Sequence, residues 1–399
     1  MTPYSTSLSV PGYKGLSITI TDNISNIIEQ WDRHCGENVY VQSDYLSVLE
    51  SQGPIGYRYY YVCVYLQEQI VGLVYCQCKQ IKLKEDFRVH AHSEALWEKI
   101  KVSLTKFAFG FIKHNILVCG NVLLTGEFGM RLDAAITTHT SELASTILSE
   151  VIVYAKKEQG VKINSTLLKD FYKEGPLQKL TFNHQDYTQF VVQPDMVIHL
   201  HEDWTTYDDY LKAVKSKYRV KFKKVKKKGD ALTFRELDEA GAERYNNDMY
   251  KLYKKTADRA VFSLFLLGEG YFGALKKQMG DKLKLVGVFL DEKLIAFYTY
   301  ISNGPQGDAH FLGYDVQLNS TYQIYFNILL KLIETAIEDN ASYLNLSRTA
   351  LEIKSSVGAI PHEMYVHLKY HNKPINKLLP RLLAQFVPEN DWQPRSPFK

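Results

Sequence analysis

Two stretches of the chain, VCVYLQEQIVGLVYC (Val62–Cys76) and VGVFLDEKLIAFYTY (Val286–Tyr300), carry the same order of apolar and polar positions. Val62, Val64, Tyr65, Ile70, Val71 and Gly72 match Val286, Val288, Phe289, Leu294, Ile295 and Ala296 at a constant offset of 224 residues. Alternation with a period of two puts every second side chain on one face. The polar break in each copy, Gln67-Glu68-Gln69 or Asp291-Glu292-Lys293, reads as a tight turn. Each stretch therefore predicts a β-hairpin.

The segments after the two hairpins repeat as well. In the first copy Ile116–Leu124 predicts a strand. Leu143, Ile147, Val151 and Tyr154, spaced by three or four, predict a helix over about Thr140–Lys157 with Gly160 as its stop. The strand VKINSTLL comes next. In the second copy AHFLGYDV predicts a strand, and Ile324, Ile328, Leu332 and Ala336 predict a helix over about Thr321–Asp339 that ends at Asn340. The strand SYLNLS completes that copy. The offset falls to 181 between Asn164 and Asn345, so the first copy is longer by roughly forty residues, and His92–Ile112 reads as an extra helix there. A helix between two strands implies a right-handed crossover and a parallel pair, while the hairpins add antiparallel neighbours. The expected fold class is α/β. Two tandem halves, each a mixed sheet flanked by helices, would cover residues 1–200 and 201–385, with 386–399 as an extended, peripheral tail.

Composition narrows the classes. A chain of 399 residues suits two domains, and 45% apolar with 13% aromatic content excludes wholesale disorder. The net charge of +4 is too mild for a protein built mainly to hold nucleic acid. Five cysteines with no CxxC pair argue against a disulfide framework and point to the cytoplasm. No secretory signal or membrane span is expected, because the most apolar stretch is broken by Lys113, His114 and Asn115. The pairs His90/His92 and His199/His201 lack ligand partners at metal spacing, so no metal is expected.

One run stands out from this balance. Lys212–Lys228 holds ten lysines and arginines and no acid. Tyr207, Leu211, Val214, Tyr218 and Phe222 form one apolar stripe, Thr205 or Thr206 with Asp208 and Asp209 supplies the start, and Gly229 the stop. A single basic helix is predicted. Lys223–Lys228 suit the C-terminal dipole as a solvated face, whereas Lys217 and Arg219 lie beside the stripe.

A second polar cluster, SRTALEIKSSVGA, lies just past the last core strand, where open α/β sheets bind ligands. Arg348 and Lys354 are suited to phosphate or carboxylate, and Glu352 to accept an amine proton if burial raises its pKa. A self-paired loop with an Arg348–Glu352 bridge is the competing expectation. Ser320 and Tyr322, at the expected helix start, would offer N–H donors to an oxyanion.

The element order resembles the GNAT acyltransferase superfamily, and its duplication resembles the FemAB-like tandem branch. YDDYLKAVKSKYRVKFKKVKKKG resembles the segment that opens that family's second domain, VQSDYLSVLES an early helix of the first, and LNLSRTALEIKSSVGA the segment after the last core strand. The resemblance implies a transferase moving an acyl or aminoacyl group onto an amine-bearing acceptor, a small molecule or an envelope precursor. The donor would be acyl-CoA or aminoacyl-tRNA, with no tightly bound cofactor. It makes Lys217 and Arg219 phosphate contacts and Tyr314, near the strand splay with His310 and Asp315, an acid toward the leaving group. The glycine-rich pyrophosphate loop of CoA-binding members is missing from TGEFGMRLDAAITTHT and GYDVQLNSTYQIYF. That departure favours the FemAB-like branch over an ordinary acyl-CoA N-acetyltransferase. A silent tandem fold that binds RNA or an anionic envelope precursor is the reading from a different class.

Overall fold

The computed structural model describes residues 3–81, 114–133, 136, 140–175, 177, 186–258, 265–383 and 392–399. The expected extra helix His92–Ile112 lies outside them.

Strands β1 (Tyr4–Ser7), β2 (Leu16–Thr21), β3 (Tyr57–Leu66), β4 (Gln69–Ile81), β5 (His114–Cys119), β6 (Met130–Leu132), β7 (Ser165–Tyr172) and β8 (Thr188–His199) come from the first copy. The second supplies β9 (Thr233–Glu236), β10 (Leu283–Leu290), β11 (Lys293–Asn303), β12 (Gln306–Tyr314), β13 (Tyr343–Asn345) and β14 (Ile360–Tyr370). The repeat is visible in backbone detail. Both hairpins turn on two residues with positive φ, Gln67-Glu68 and Asp291-Glu292, the signature of a type I′ turn. Both carry a bulge at the same place, between Val64 and Tyr65 and between Val288 and Phe289. Val64 faces Gly72 and Val288 faces Ala296, so the offset of 224 holds across the pairing as well.

All these strands join one sheet, in the order β1-β2-β3-β4-β5-β7-β14-β8-β13-β12-β11-β10-β9, with β6 beside β4. The pairs β5–β7 and β12–β13 are parallel, as the crossovers require. At the centre the copies exchange strands. β14 inserts between β7 and β8, and β8 pairs with β13.

Helices α1 (Ile28–Cys35), α2 (Ser43–Gln52) and α3 (Thr140–Gln159) belong to the first copy. Leu143, Ile147 and Val151 of α3 are fully buried on the sheet, as their spacing predicts. Trp31, Tyr45 and Tyr61 share a core with Tyr253, Tyr271 and Phe272 of the second copy, so the halves are joined by aromatic packing. Each such ring contributes roughly 1.5–3 kcal/mol through burial.

The basic run forms two helices, α4 (Tyr207–Ala213) and α5 (Ser216–Lys228), rather than one. Thr206 and Asp209 make a capping box at its start. The break at Val214–Lys215 comes from the C-terminal tail, which is docked rather than peripheral. Lys215 N–H donates to Pro397 O (2.8 Å), Lys399 N–H to Ala213 O (3.1 Å), and Phe398 pairs with Val214 as a one-residue bridge. Backbone groups spent on the tail are unavailable for a continuous helical ladder.

After α6 (Glu239–Arg244), α7 (Asn246–Ala257) and α8 (Tyr271–Met279), the helix expected over about Thr321–Asp339 is found, preceded by a short one that the sequence pattern did not predict. α9 (Val316–Tyr322) stops at Gln323, which sits in the left-handed region (φ 50°), and α10 (Ile324–Glu338) restarts there. α11 (Leu351–Ser356) and α12 (Lys373–Leu383) complete the order. Among the described residues no helix is long and apolar enough to cross a membrane.

Candidate functional site at the seam between the two copies

Alternation along the exchanged strands decides where chemistry sits. Met196, Ile198 and Leu344 are buried with α10. Asp195, Val197 and His199 of β8 therefore project to the opposite face. Register places Asp195 opposite His362 and Val197 between Ile360 and Asn345. Asn345 in turn lies beside Asp308. This face lines a cleft of about 660 Å³, with Tyr172, His199, Gln306, Asn345 and His362 in its wall.

A buried carboxylate lies behind that wall. The Tyr172 hydroxyl donates to Asp195 Oδ2 (2.7 Å) and Asn345 Nδ2 donates to the same oxygen (2.8 Å). Asp195 Oδ1 is buried with no hydrogen-bond partner among the described residues. Burial pushes the Asp195 carboxyl up to about 6, opposed by the Tyr172 hydrogen bond and by the charges of Arg348 and Lys354. Asp308, bonded by Gln306, is pushed up to about 7, again by burial and further by the charge of Asp195.

The adjoining cations are occupied by the protein itself. Arg348 pairs with Asp170, a fully buried carboxylate that also takes Lys169. Lys169 caps Leu124 O, and burial lowers its pKa to about 8 against the pull of Asp170. Lys354 is buried, donates to Leu346 O (2.6 Å), Ser347 O (3.1 Å) and Arg348 O, and is lowered to about 7 by burial. Arg348 and Lys354 come together as expected, but as the fasteners of the loop after β13.

Glu352 lies on the outer side of α11 and is exposed, so it lacks the burial expected of a base at this position. Its partner is Arg395 of the tail, in place of the expected Arg348. Lys217 and Glu352 do meet, on a groove of about 260 Å³ shared with Tyr218, Lys221, Ile353, Ser356 and Arg395. Arg219 turns inward and donates to Val214 O (2.8 Å), closing the end of α4.

Tyr314 packs with the core beneath α10, its ring 6.1 Å from Tyr325. Ser320 and Tyr322 occupy the end of α9, where their N–H groups serve the helix, so they do not present the oxyanion donors expected of a helix start. His310 is half-buried, packed among Tyr40, Tyr45 and Tyr271, and the burial of its ring lowers its pKa to about 3, as for a neutral histidine of the aromatic core.

The N-terminus of α10 is closed. Asn319 Oδ1 accepts from Tyr325 N–H (2.9 Å), and α9 stands where a glycine loop would leave room for a pyrophosphate. A family model, FemAB_like, described as peptidoglycan biosynthesis/recognition, matches residues 23–373. The chain belongs to the FemAB-like family. It is a transferase, of the kind that moves acyl or aminoacyl groups. No curated protein matches its sequence. Among solved structures, that of FemX is 11% identical with a TM-score of 0.55, covering 88% of this chain and 98% of its own. A tandem GNAT protein from the clavulanic acid biosynthesis pathway, without AcCoA, is 8% identical with a TM-score of 0.52, covering 89% and 98%. At these identities the likeness is one of fold, and it matches the tandem mixed-sheet architecture expected of a FemAB-like chain.

Sequence reasoning missed Tyr172, Asp195, Asp308 and Glu127. Glu127 lies in the GNVLLTGEFG segment, accepts from Tyr172 N–H (3.0 Å), and is raised to about 7 by burial. An acid inside an otherwise apolar strand, as in QPDMVIH or GDAHF, was the available signal, because Asp is depleted from strand interiors.

Proposed function

We propose that the chain transfers an aminoacyl group from aminoacyl-tRNA to an amine of an envelope precursor, with the reacting amine held in the 660 Å³ cleft at the seam. The observation that carries this reading is Tyr172, which lines the cleft while its hydroxyl donates to the buried Asp195 carboxylate. The amine nitrogen attacks the ester carbonyl. As the C–N bond forms, Tyr172 takes the amine proton and passes its own to Asp195 Oδ2. When the C–O bond breaks, that proton returns along the same pair to the leaving hydroxyl. The N-terminus of α10 supports tRNA over CoA as the carrier, since Asn319 already takes one of the backbone donors that would hold a CoA pyrophosphate and α9 stands in front of the rest.

The test incubates the purified protein with radiolabelled aminoacyl-tRNA or with acyl-CoAs and with amine-bearing nucleotide precursors of the envelope. Product is followed by mass spectrometry. Transfer from aminoacyl-tRNA that is lost in Asp195→Asn supports the reading. Transfer from acyl-CoA alone would replace it with an ordinary N-acyltransferase. Binding of RNA or precursor without turnover would replace it with a silent fold.

A further inference from the structure

A second cavity, of about 310 Å³, lies within the first copy. Trp31 of α1, Leu73 and Tyr75 of β4, and Phe128 and Met130 at the start of β6 give it apolar and aromatic walls. Two charged side chains also line it, Glu127 and Arg131. The transfer mechanism uses neither.

Both charges are set in place against glycines. Arg131 Nη1 donates to Cys35 O (3.1 Å), and its guanidinium lies across Gly36, where a Cβ would clash with it. Gly36 also has φ 80°, so position 36 is doubly restricted to glycine. Glu127 Oε1 accepts from Tyr172 N–H (3.0 Å) and lies against Gly175, where a Cβ would clash with the carboxylate. One donor of Arg131 and one acceptor of Glu127 are thus spent on fixing the groups. The other guanidinium N–H groups and Glu127 Oε2 make no hydrogen bond among the described residues.

Neither charge is neutralised. Among the described residues no carboxylate stands within ion-pairing distance of Arg131, and no cation within that distance of Glu127. Burial raises the Glu127 carboxyl to about 7, opposed only by the Tyr172 N–H. A ligand that carried one charge alone would leave the other group unpaired beside an apolar wall. The volume lies at the low end of ligand cavities, which run from about 300 to 1,000 Å³, and suits one amino-acid-sized group.

We infer that this cavity binds an amino-acid-like zwitterion, its ammonium on Glu127, its carboxylate on the Arg131 fork and its carbon chain against Trp31, Tyr75 and Phe128. The planar guanidinium matches a carboxylate with two parallel hydrogen bonds. Tyr172 and Gly175, which fix the Glu127 carboxylate, both line the 660 Å³ cleft, so the two cavities adjoin through that one side chain. On the transferase reading, the zwitterion is the part of the acceptor that anchors it beside the cleft. That assignment rests on the proposed function. The zwitterion site does not, since its occupancy is measured without turnover.

Calorimetry of the full chain compares leucine and 6-aminohexanoate, which carry both charges, with pentylamine and hexanoate, which carry one each. At least one zwitterion should bind about tenfold or more tighter than either single-charge probe. Which of the two does so gives the spacing of the charges in the ligand. Glu127→Gln, which keeps an acceptor for Tyr172 N–H, should weaken that binding by about tenfold or more and leave hexanoate unchanged. Arg131→Gln, at an exposed position, should weaken it as much and leave pentylamine unchanged. Binding of neither zwitterion, or binding no tighter than that of the single-charge probes, would overturn the inference. So would zwitterion binding that both substitutions leave intact. Selective zwitterion binding by a protein with no transferase activity would keep the site and remove its link to an acceptor.

Discussion

Arg348, on the loop that leaves β13, pairs with Asp170 of β7, so a cation from the second copy neutralises a fully buried carboxylate of the first. Lys169 pairs with the same carboxylate from the neighbouring position. Nearby, Thr125 and Ser347 join their hydroxyls at 2.7 Å. The ends of the two parallel-strand pairs thus meet at one polar junction, and the rest of the seam is built around it.

That junction makes the two ends of the ion pair unequal. Asp170→Asn leaves Lys169 and Arg348 without a counter-charge and should cost about 3–5 kcal/mol. Arg348→Gln leaves Asp170 still paired with Lys169 and should cost clearly less. Urea midpoints of the two variants check this, and equal losses would show that the pair does not join the copies as described.

The hairpin turns offer a gain. Gln67-Glu68 and Asp291-Glu292 hold positive φ without glycine, at φ 50° and 70°, and 46° and 63°. Asn-Gly in either turn relieves that strain and should stabilise by about 1 kcal/mol, net of the entropy glycine loses. The thermal midpoint should rise by about 1–2 °C per turn. A fall at both turns would mean that the side chains of the present residues matter more than their backbone.

Asp308 gives the stability curve a slope. Burial raises its folded pKa to about 7 from an unfolded value of 3.8, so the folded state holds the proton more tightly. Stability from this group is complete below the unfolded pKa and is lost as pH rises through the folded one. Between about pH 4 and 7 the protein should therefore lose on the order of 1–3 kcal/mol from Asp308, with Asp195 acting in the same direction. Asp308→Asn should flatten that part of the profile. Denaturation midpoints at pH 5 and pH 7.5 measure it, and an identical slope in the variant would rule Asp308 out as its source.

Legibility in the sequence tracks the range of the interactions. The hairpins, α3 and the parallel pairs rest on local periodicity and on a repeat that can be counted, and they appear where the pattern puts them. Strand exchange is not local: nothing within β14 says that it enters between β7 and β8. The breaks at Val214–Lys215 and Gln323 have distant or conformational causes, a tail roughly 180 residues away in the chain and a single left-handed residue. For the site, charge drew attention to Lys217, Arg348, Glu352 and Lys354, and three of these are engaged by the protein's own carbonyls or charges. Asp195 and Tyr172 carry no such flag, because one acid and one tyrosine within strands look ordinary until register and the cleft set them side by side.

The pairing of those two makes the last prediction. A base acts only when deprotonated, and Asp195 is held at about 6, so kcat/KM for transfer should rise with pH through that value. Asp195→Asn keeps the shape and the hydrogen bond to Asn345 but accepts no proton. It should lower kcat by about 10²–10⁴ and erase that limb of the profile. Tyr172→Phe removes the hydroxyl bonded to Asp195 and should cost kcat on the same scale, leaving KM within about twofold, because the ring that shapes the wall stays. A Tyr172→Phe enzyme with undiminished kcat would break the relay, even if Asp195→Asn were inactive. The carboxylate would then be shown to act by holding the seam strands, and the base would have to be sought among the other groups of the cleft, His362 and His199 first.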